Sequence, residues 1–202
     1  MRIGLFGGTF DPIHLGHLIV AEQCREQARL DEVWFVPAAR PPHKKQLDLT
    51  HFDRRAEMIQ LAIAGQPLFR LCDIEKHRPG PSYTAETLSE LRRTHPEVTW
   101  HLILGADALT DLPQWYDPIR IVTQAVLLVV ARPGWELPPS DRFRHQLQLK
   151  PDDFFVMSRV ESPLIDISSR DLRLRVAQGR SIRYMVPAAV AAYIDDKGLY
   201  HS

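Results

Sequence analysis

Arg2-Ile3-Gly4-Leu5-Phe6, followed by Gly7-Gly8-Thr9-Phe10-Asp11-Pro12-Ile13-His14-Leu15-Gly16-His17, is the stretch that decides the fold. The first five residues make a short apolar run suited to a strand, and the paired glycines punctuate its end. Beyond the turn, Leu18, Ala21, Cys24 and Ala28 recur at helical spacing with charges between them, so strand, turn and helix follow one another. In open α/β sheets ligands bind beyond the carboxyl ends of strands, and a helix amino terminus presents free N–H groups and a positive dipole end to phosphates. The turn therefore suits a nucleotide. It is not the usual phosphate loop, since no Gly-Lys-Ser/Thr follows, and it lacks the Gly-x-Gly-x-x-Gly dinucleotide pattern.

The same alternation continues outward. Strands are expected at 33–36, 69–74, 98–104, 125–130 and 154–160, and helices at 53–64, 84–94, 115–123, 169–178 and 187–197. Pro37 and Pro41-Pro42 stop the second strand. Arg78-Pro79-Gly80-Pro81-Ser82 reads as a loop feeding a helix capped by Thr84. The unbroken apolar run from Ala125 to Val130 suits a strand buried on both faces. The expected fold is α/β: a Rossmann-like, doubly wound parallel sheet with helices on both faces, in a single domain over 1–202.

Composition narrows the function. The 202 residues carry 25 Lys+Arg against 25 Asp+Glu, a formal net charge of zero, which argues against a general nucleic-acid binder or a polybasic membrane binder. The longest apolar runs fall well short of the ~18 residues that span a bilayer, and the amino terminus is too short and polar for a secretory signal. Cys24 and Cys72, the two cysteines, fit neither a disulfide framework nor a Cys-rich zinc pattern, and are read as small apolar residues in a reducing, cytoplasmic compartment.

His14 and His17 sit three apart, so on a helix they share a face at its start. As hydrogen-bond donors beside phosphate, imidazoles stabilise charge developing on a bridging oxygen. Two other readings stand beside this one: one histidine on the surface with the other a core spacer, or a metal pair completed by His43 or Asp107. Far down the chain, Ile167-Ser168-Ser169-Arg170-Asp171-Leu172-Arg173 offers two hydroxyls and N–H groups at a helix start with Arg173 one turn in, which is either an anion site or a serine N-cap.

The first segment resembles the signature of the nucleotidylyltransferase superfamily, a His-x-Gly-His after the first strand, and the serine segment resembles its second signature. Arg170 departs from the small residue, usually Thr, common there. The chain as a whole resembles the bacterial nicotinate-nucleotide adenylyltransferase family through Pro41-Pro42-His43-Lys44, Pro81-Ser82-Tyr83-Thr84-Ala85-Glu86-Thr87-Leu88, Gly105-Ala106-Asp107, Leu112-Pro113-Gln114-Trp115-Tyr116 and the tail from Tyr184 to Tyr200.

That resemblance implies transfer of AMP from ATP to nicotinic acid mononucleotide in NAD synthesis, with Mg²⁺ accompanying ATP through phosphate oxygens and no metal held by the protein itself. Carried over by position, His14, His17 and Arg173 would be catalytic. Gly7, Gly8, Thr9, Phe10, His14, His17, Gly105, Asp107, Ser168, Ser169 and Arg173 would bind ATP, with the helical part at about 168–202 completing that site. Thr9, Lys44, Ser82, Tyr83, Thr84 and Trp115 would bind the mononucleotide. Trp115 and Tyr116 also suit a core, Lys44 with Lys45 a solvated pair, and Asp107 a helix cap. Nicotinamide mononucleotide as acceptor, a non-catalytic nucleotide-binding module and a histidine-ligated metal hydrolase are the alternatives. Homo-oligomers are compatible with the sequence.

Overall fold

Both edges of the opening strand are paired, which places it at the centre of a sheet. The computed structural model describes residues 1–42, 49–131 and 136–201. Its elements run β1 (Arg2–Gly8), α1 (Leu15–Gln27), β2 (Glu32–Pro37), α2 (Phe52–Ile63), β3 (Phe69–Leu71), α3 (Thr84–Thr94), β4 (Thr99–Gly105), α4 (Ala106–Asp111), α5 (Pro118–Gln124), β5 (Val126–Ala131), α6 (Ser140–Gln146), β6 (Met157–Glu161), α7 (Ser169–Ala177) and α8 (Ala188–Asp196). The strands form one sheet in the order β3-β2-β1-β4-β5-β6, every neighbouring pair parallel. The chain thus winds one way from β1 to β3 and the other way from β4 to β6. The reversal lies between β1 and β4, where Phe6 is in register with Ile103, and such a switch point opens a crevice beyond the strand ends.

Alternation along the strands separates two cores. Leu5, Leu102, Leu104, Leu127 and Val129 face one side, under Leu88 and Leu91 of α3, Leu109 of α4, Ile121 of α5 and Phe143 of α6. Ile103, Leu128 and Val160 face the other, under Ala21 and Cys24 of α1, Met58 and Ile59 of α2, Leu172 of α7 and Ile194 of α8. Cys24 is buried and Cys72 partly so, both unpaired. Burial pushes the Cys24 thiol up to about 12 and the Cys72 thiol up to about 11, so both stay protonated and inert. No helix among the described residues is long and apolar enough to cross a membrane.

Several local expectations are corrected. The third strand stops at Leu71 rather than continuing to residue 74. Thr84 is the first residue of α3 and Tyr83 its N-cap, with no side-chain cap bond. The helix expected at 115–123 is divided: α4 and a 3₁₀ turn over Leu112–Gln114 precede Trp115, and α5 begins at Pro118. Asp117 supplies the break, since it takes φ 49° and its carboxylate accepts the Arg120 N–H. The α6 helix was not anticipated; at seven residues it is too short for a periodic signal.

Candidate active site

The turn between β1 and α1 is held by its carbonyl oxygens. Thr9 O accepts from Arg55 Nη1 at 2.7 Å, Asp11 O from Arg173 Nη1 at 2.6 Å and Pro12 O from Ser169 Oγ at 2.8 Å. Residues separated by more than 150 positions are therefore in direct contact, and the serine helix start adjoins the glycine turn. With these oxygens taken up by donors, an approaching anion meets fewer exposed lone pairs. Arg55, only 1% exposed, also donates to Thr50 O and Ala38 O, each at 2.8 Å, and so ties the turn to the loop after β2.

His14 is the N-cap of α1. Its ring stacks on that of His17 with centroids 3.6 Å apart and 26° between planes. The glycine between them is required by that stack, because a Cβ on Gly16 would lie 3.1 Å from His14 Cε1 and Nδ1. His17 Nδ1 accepts the His14 backbone N–H at 3.2 Å. A neutral His17 therefore carries its proton on Nε2 and presents a donor there. Burial holds His14 down at about 4. Burial, and then the charge His14 would carry, hold His17 well below the ordinary histidine value. Both rings are neutral at pH 7. His14 Nδ1 is buried against the helix start, 3.1 Å from where a Cβ on Gly16 would lie, with the His14 side chain facing the His17 backbone N–H in a capping box.

Two cavities meet over the carboxyl ends of β1 and β4, sharing Phe6, Ile103, Leu104 and Gly105 in their walls. The smaller, about 320 Å³, is lined by His14, Gly16, His17, Asp107, Ile165 and Ile167 among others. The larger, about 640 Å³, is lined by Gly7, Gly8 and Thr9 on one side and by Ser82, Tyr83, Thr84 and Trp115 on the other. At its rim Tyr83 and Tyr116 stack with centroids 4.4 Å apart. Arg120 lies 5.9 Å over the Tyr116 ring and pairs with Glu86 at 3.1 Å and Asp117 at 2.7 Å.

The sequence-predicted residues thus divide. His14, His17, Gly105 and Asp107 share the smaller cavity; the N-cap of α4 is Gly105, so Asp107 is not that helix's cap. Gly7 and Gly8, expected at ATP, and Thr9, expected at both nucleotides, line the larger cavity. Phe10, also expected at ATP, is buried with φ 48°, its ring 5.0 Å from that of His17, so it lies beneath the site as a support. Ser168 lines neither cavity. It caps α7, its Oγ accepting the Asp171 N–H at 3.1 Å. Ser169 and Arg173 reach the turn itself, and Arg170 is exposed. Lys44, with His43 and Lys45, lies outside the described residues. Among the described residues no three His, Cys, Asp or Glu side chains gather as metal ligands.

Sequence reasoning missed Arg55, the carboxylate of Asp11, Tyr200 and Glu75. Arg55 left a signal: it stands on the stripe of α2 that buries Met58 and Ile59, a position where a lone arginine implies buried acceptors. Glu75, 6% exposed, lines the larger cavity and accepts Thr87 Oγ1 at 2.6 Å. No periodic pattern marks it.

Residues 5–175 match the family described as cytidylyltransferase-like. The chain is 44% identical over 201 residues to a probable nicotinate-nucleotide adenylyltransferase of Thermomicrobium roseum, covering 100% of this chain and 92% of the relative. To a relative of the same description from a Roseiflexus species it is 48% identical over 200 residues, covering 98% and 97%. The fold is similar to that of Plasmodium falciparum nicotinic acid mononucleotide adenylyltransferase complexed with NaAD, with a TM-score of 0.78 at 22% identity over 98% of this chain and 97% of that one.

Proposed function

Because the chain belongs to the cytidylyltransferase-like family and, within it, to the nicotinate-nucleotide adenylyltransferases, we propose that it transfers AMP from ATP to nicotinic acid mononucleotide. The observation that carries this reading is the pair of cavities with a common wall at the sheet's switch point. One is small and bounded by imidazoles. The other is larger, with aromatic rings and backbone-rich loops. Two nucleotides seated there would bring their phosphates together over Gly105 and the β1 turn.

In the proposed reaction an oxygen of the mononucleotide's 5′-phosphate attacks the α-phosphorus of ATP. A new P–O bond forms, the bond from the α-phosphorus to the β-bridging oxygen breaks, and pyrophosphate leaves. Catalysis by the chain is then positioning and charge stabilisation, as such transfers generally demand. His17 donates from Nε2 toward the charge building on the phosphates, and neutral imidazoles at pH 7 leave that donor in place without a competing proton transfer. His14 lines the same cavity and orients His17 by stacking on its ring. Arg173 and Ser169 hold the turn's carbonyls, which gives Arg173 a positioning role alongside any reach to the β- and γ-phosphates. Helices α7 and α8, within the part from about 168 to 202, complete this side of the site.

The larger cavity takes the mononucleotide, its pyridine ring between Trp115 and the Ser82–Thr84 loop. In that loop the Ser82 and Tyr83 N–H groups are bonded to Arg40 O and Pro81 O, so a donor that favours a carboxylate over a carboxamide would come from Thr84 at the start of α3. Enzymes that transfer nucleotides from ATP generally need a divalent metal. The residues here suit Mg²⁺ held mainly through phosphate oxygens and water, with Asp107 the carboxylate facing the smaller cavity. Once bound, the ion offsets charge on the departing pyrophosphate. Two unpaired cysteines accord with a cytoplasmic setting.

Pyrophosphate release from ATP and Mg²⁺, measured with the acid and the amide mononucleotide in turn, tests the reading. Turnover with the acid at the higher kcat/KM is expected. Preference for the amide would change the assigned substrate. No release from either by folded protein would reject the enzyme reading in favour of a binding module.

A further inference from the structure

The Asp11 side chain is 0% exposed, although it sits in the turn that the proposed reaction uses. A carboxylate so placed needs donors and counter-charge. It accepts Tyr200 Oη–H on Oδ1 at 2.6 Å and the Thr50 N–H on Oδ2 at 3.3 Å. Two guanidinium groups flank it without bonding to the carboxylate itself: Arg55 on Thr9 O and Arg173 on Asp11's own carbonyl. The carboxylate therefore joins three segments at one buried point, the turn, the loop before α2 and the stretch after α8, and α7 reaches the same residue through the Asp11 carbonyl. Burial first, and then the Asp11 charge, push the Tyr200 phenol well up, so it donates at any working pH. Leu199 and Tyr200 pack on the same core as Phe10, Ile13 and Leu172, which fixes the phenol's direction.

We infer that Tyr200 is a positioning residue for the ATP side of the site, acting through Asp11 to fix the turn that carries His14. This deepens the adenylyltransferase reading and rests on it. The physical step is short. Without the phenol, Oδ1 of a buried carboxylate loses its donor. The cheapest remedy is for Asp11 to turn toward Arg173, which would then leave the Asp11 carbonyl it holds, whereas Arg55 stays tied to Thr9, Thr50 and Ala38 by three bonds. The turn would loosen beside the smaller cavity, while the Tyr83–Trp115 side, built on the other core, would stay as it is.

The experiment is steady-state pyrophosphate release by wild type, Tyr200→Phe and Tyr193→Phe, varying ATP and the mononucleotide separately. Tyr193 lies on α8 and bonds Glu57 and Arg54 across the surface of α2, so its variant reports damage to the C-terminal packing alone. For Tyr200→Phe the KM for ATP should rise by about tenfold, as expected on losing a hydrogen bond to a charged acceptor, with the mononucleotide KM within about twofold of wild type. Tyr193→Phe should leave both KM values unchanged. An ATP KM that moves less than twofold, an equal rise in both KM values, or the same ATP effect in Tyr193→Phe would each overturn the inference. If Tyr200→Phe does not stay folded, the double variant Asp11→Asn/Tyr200→Phe, which removes the charge that would seek another donor, must fold and keep its ATP KM within about twofold of Asp11→Asn, or the inference fails. Absence of wild-type turnover would instead strike the adenylyltransferase reading itself.

Discussion

Moderate acid should weaken this fold through His14, and the size of the effect follows from its surroundings. The ring is 6% exposed, and burial holds its folded pKa at about 4 against the ordinary 6.5. Because the folded value lies below the unfolded one, the unfolded chain binds more protons in the window between them, so stability rises with pH there. The contribution is fully present above pH 6.5 and is lost progressively as the pH falls toward 4. Working from those two values, lowering the pH from about 7.5 to about 5 should cost about 2 kcal/mol through this one group. His17 shifts in the same direction, and the two stacked rings titrate as a pair. Urea unfolding of wild type and His14→Gln at both pH values is the assay, with equal m-values as the condition for comparison. The variant should lose about 2 kcal/mol less than wild type between the two conditions. An identical loss in both proteins would mean that His14 is as easily protonated in the fold as out of it, and the burial argument would be wrong.

Two further substitutions probe the turn. His17→Ala should lower kcat for pyrophosphate release by about 10² or more with little change in either KM, because the Nε2 donor acts on charge that exists only in the transition state; an unchanged kcat would remove that role. Arg55→Met leaves the carbonyls of Thr9, Thr50 and Ala38 without their donor. It should destabilise the protein by about 3 kcal/mol or more in thermal or urea unfolding, so a loss under about 1 kcal/mol would show that water or neighbouring groups replace the arginine at no cost.

Much of the fold was legible because it rests on local patterns. The strand-turn-helix at the start, the apolar strand at Val126–Ala131 and the alternation between them each follow from periodicity and from Gly and Pro punctuation, and together they imply the sheet. What escaped were elements shorter than their own period, such as α6, and the break at Asp117, which depends on a single positive φ. The site divides in the same manner. His14, Gly16 and His17 are neighbours in sequence, so their geometry could be anticipated. Asp11, Arg55 and Tyr200 work together only because the fold brings distant segments onto one turn, Tyr200 on the Asp11 carboxylate and Arg55 on the Thr9 carbonyl, and nothing in their local sequence says which partner each will find. Phe10 shows how burial refines such a reading: its ring packs on His17 inside the protein, so only its backbone is placed to meet a ligand.

The separation of the two cores has a consequence for how variation acts on this molecule. Each compartment rests mainly on one hydrophobic interior, the imidazole side on residues under α1, α7 and α8, the aromatic side on residues under α3, α4 and α5, with Phe6, Ile103 and Leu104 common to both. A packing change deep in one interior reaches the cavity on its own side first, and the other through the shared wall of Phe6, Ile103, Leu104 and Gly105. Under the proposed seating of the two nucleotides, affinity for one would be retuned mainly from below its own cavity, and that common wall is where a change made for one is felt by the other.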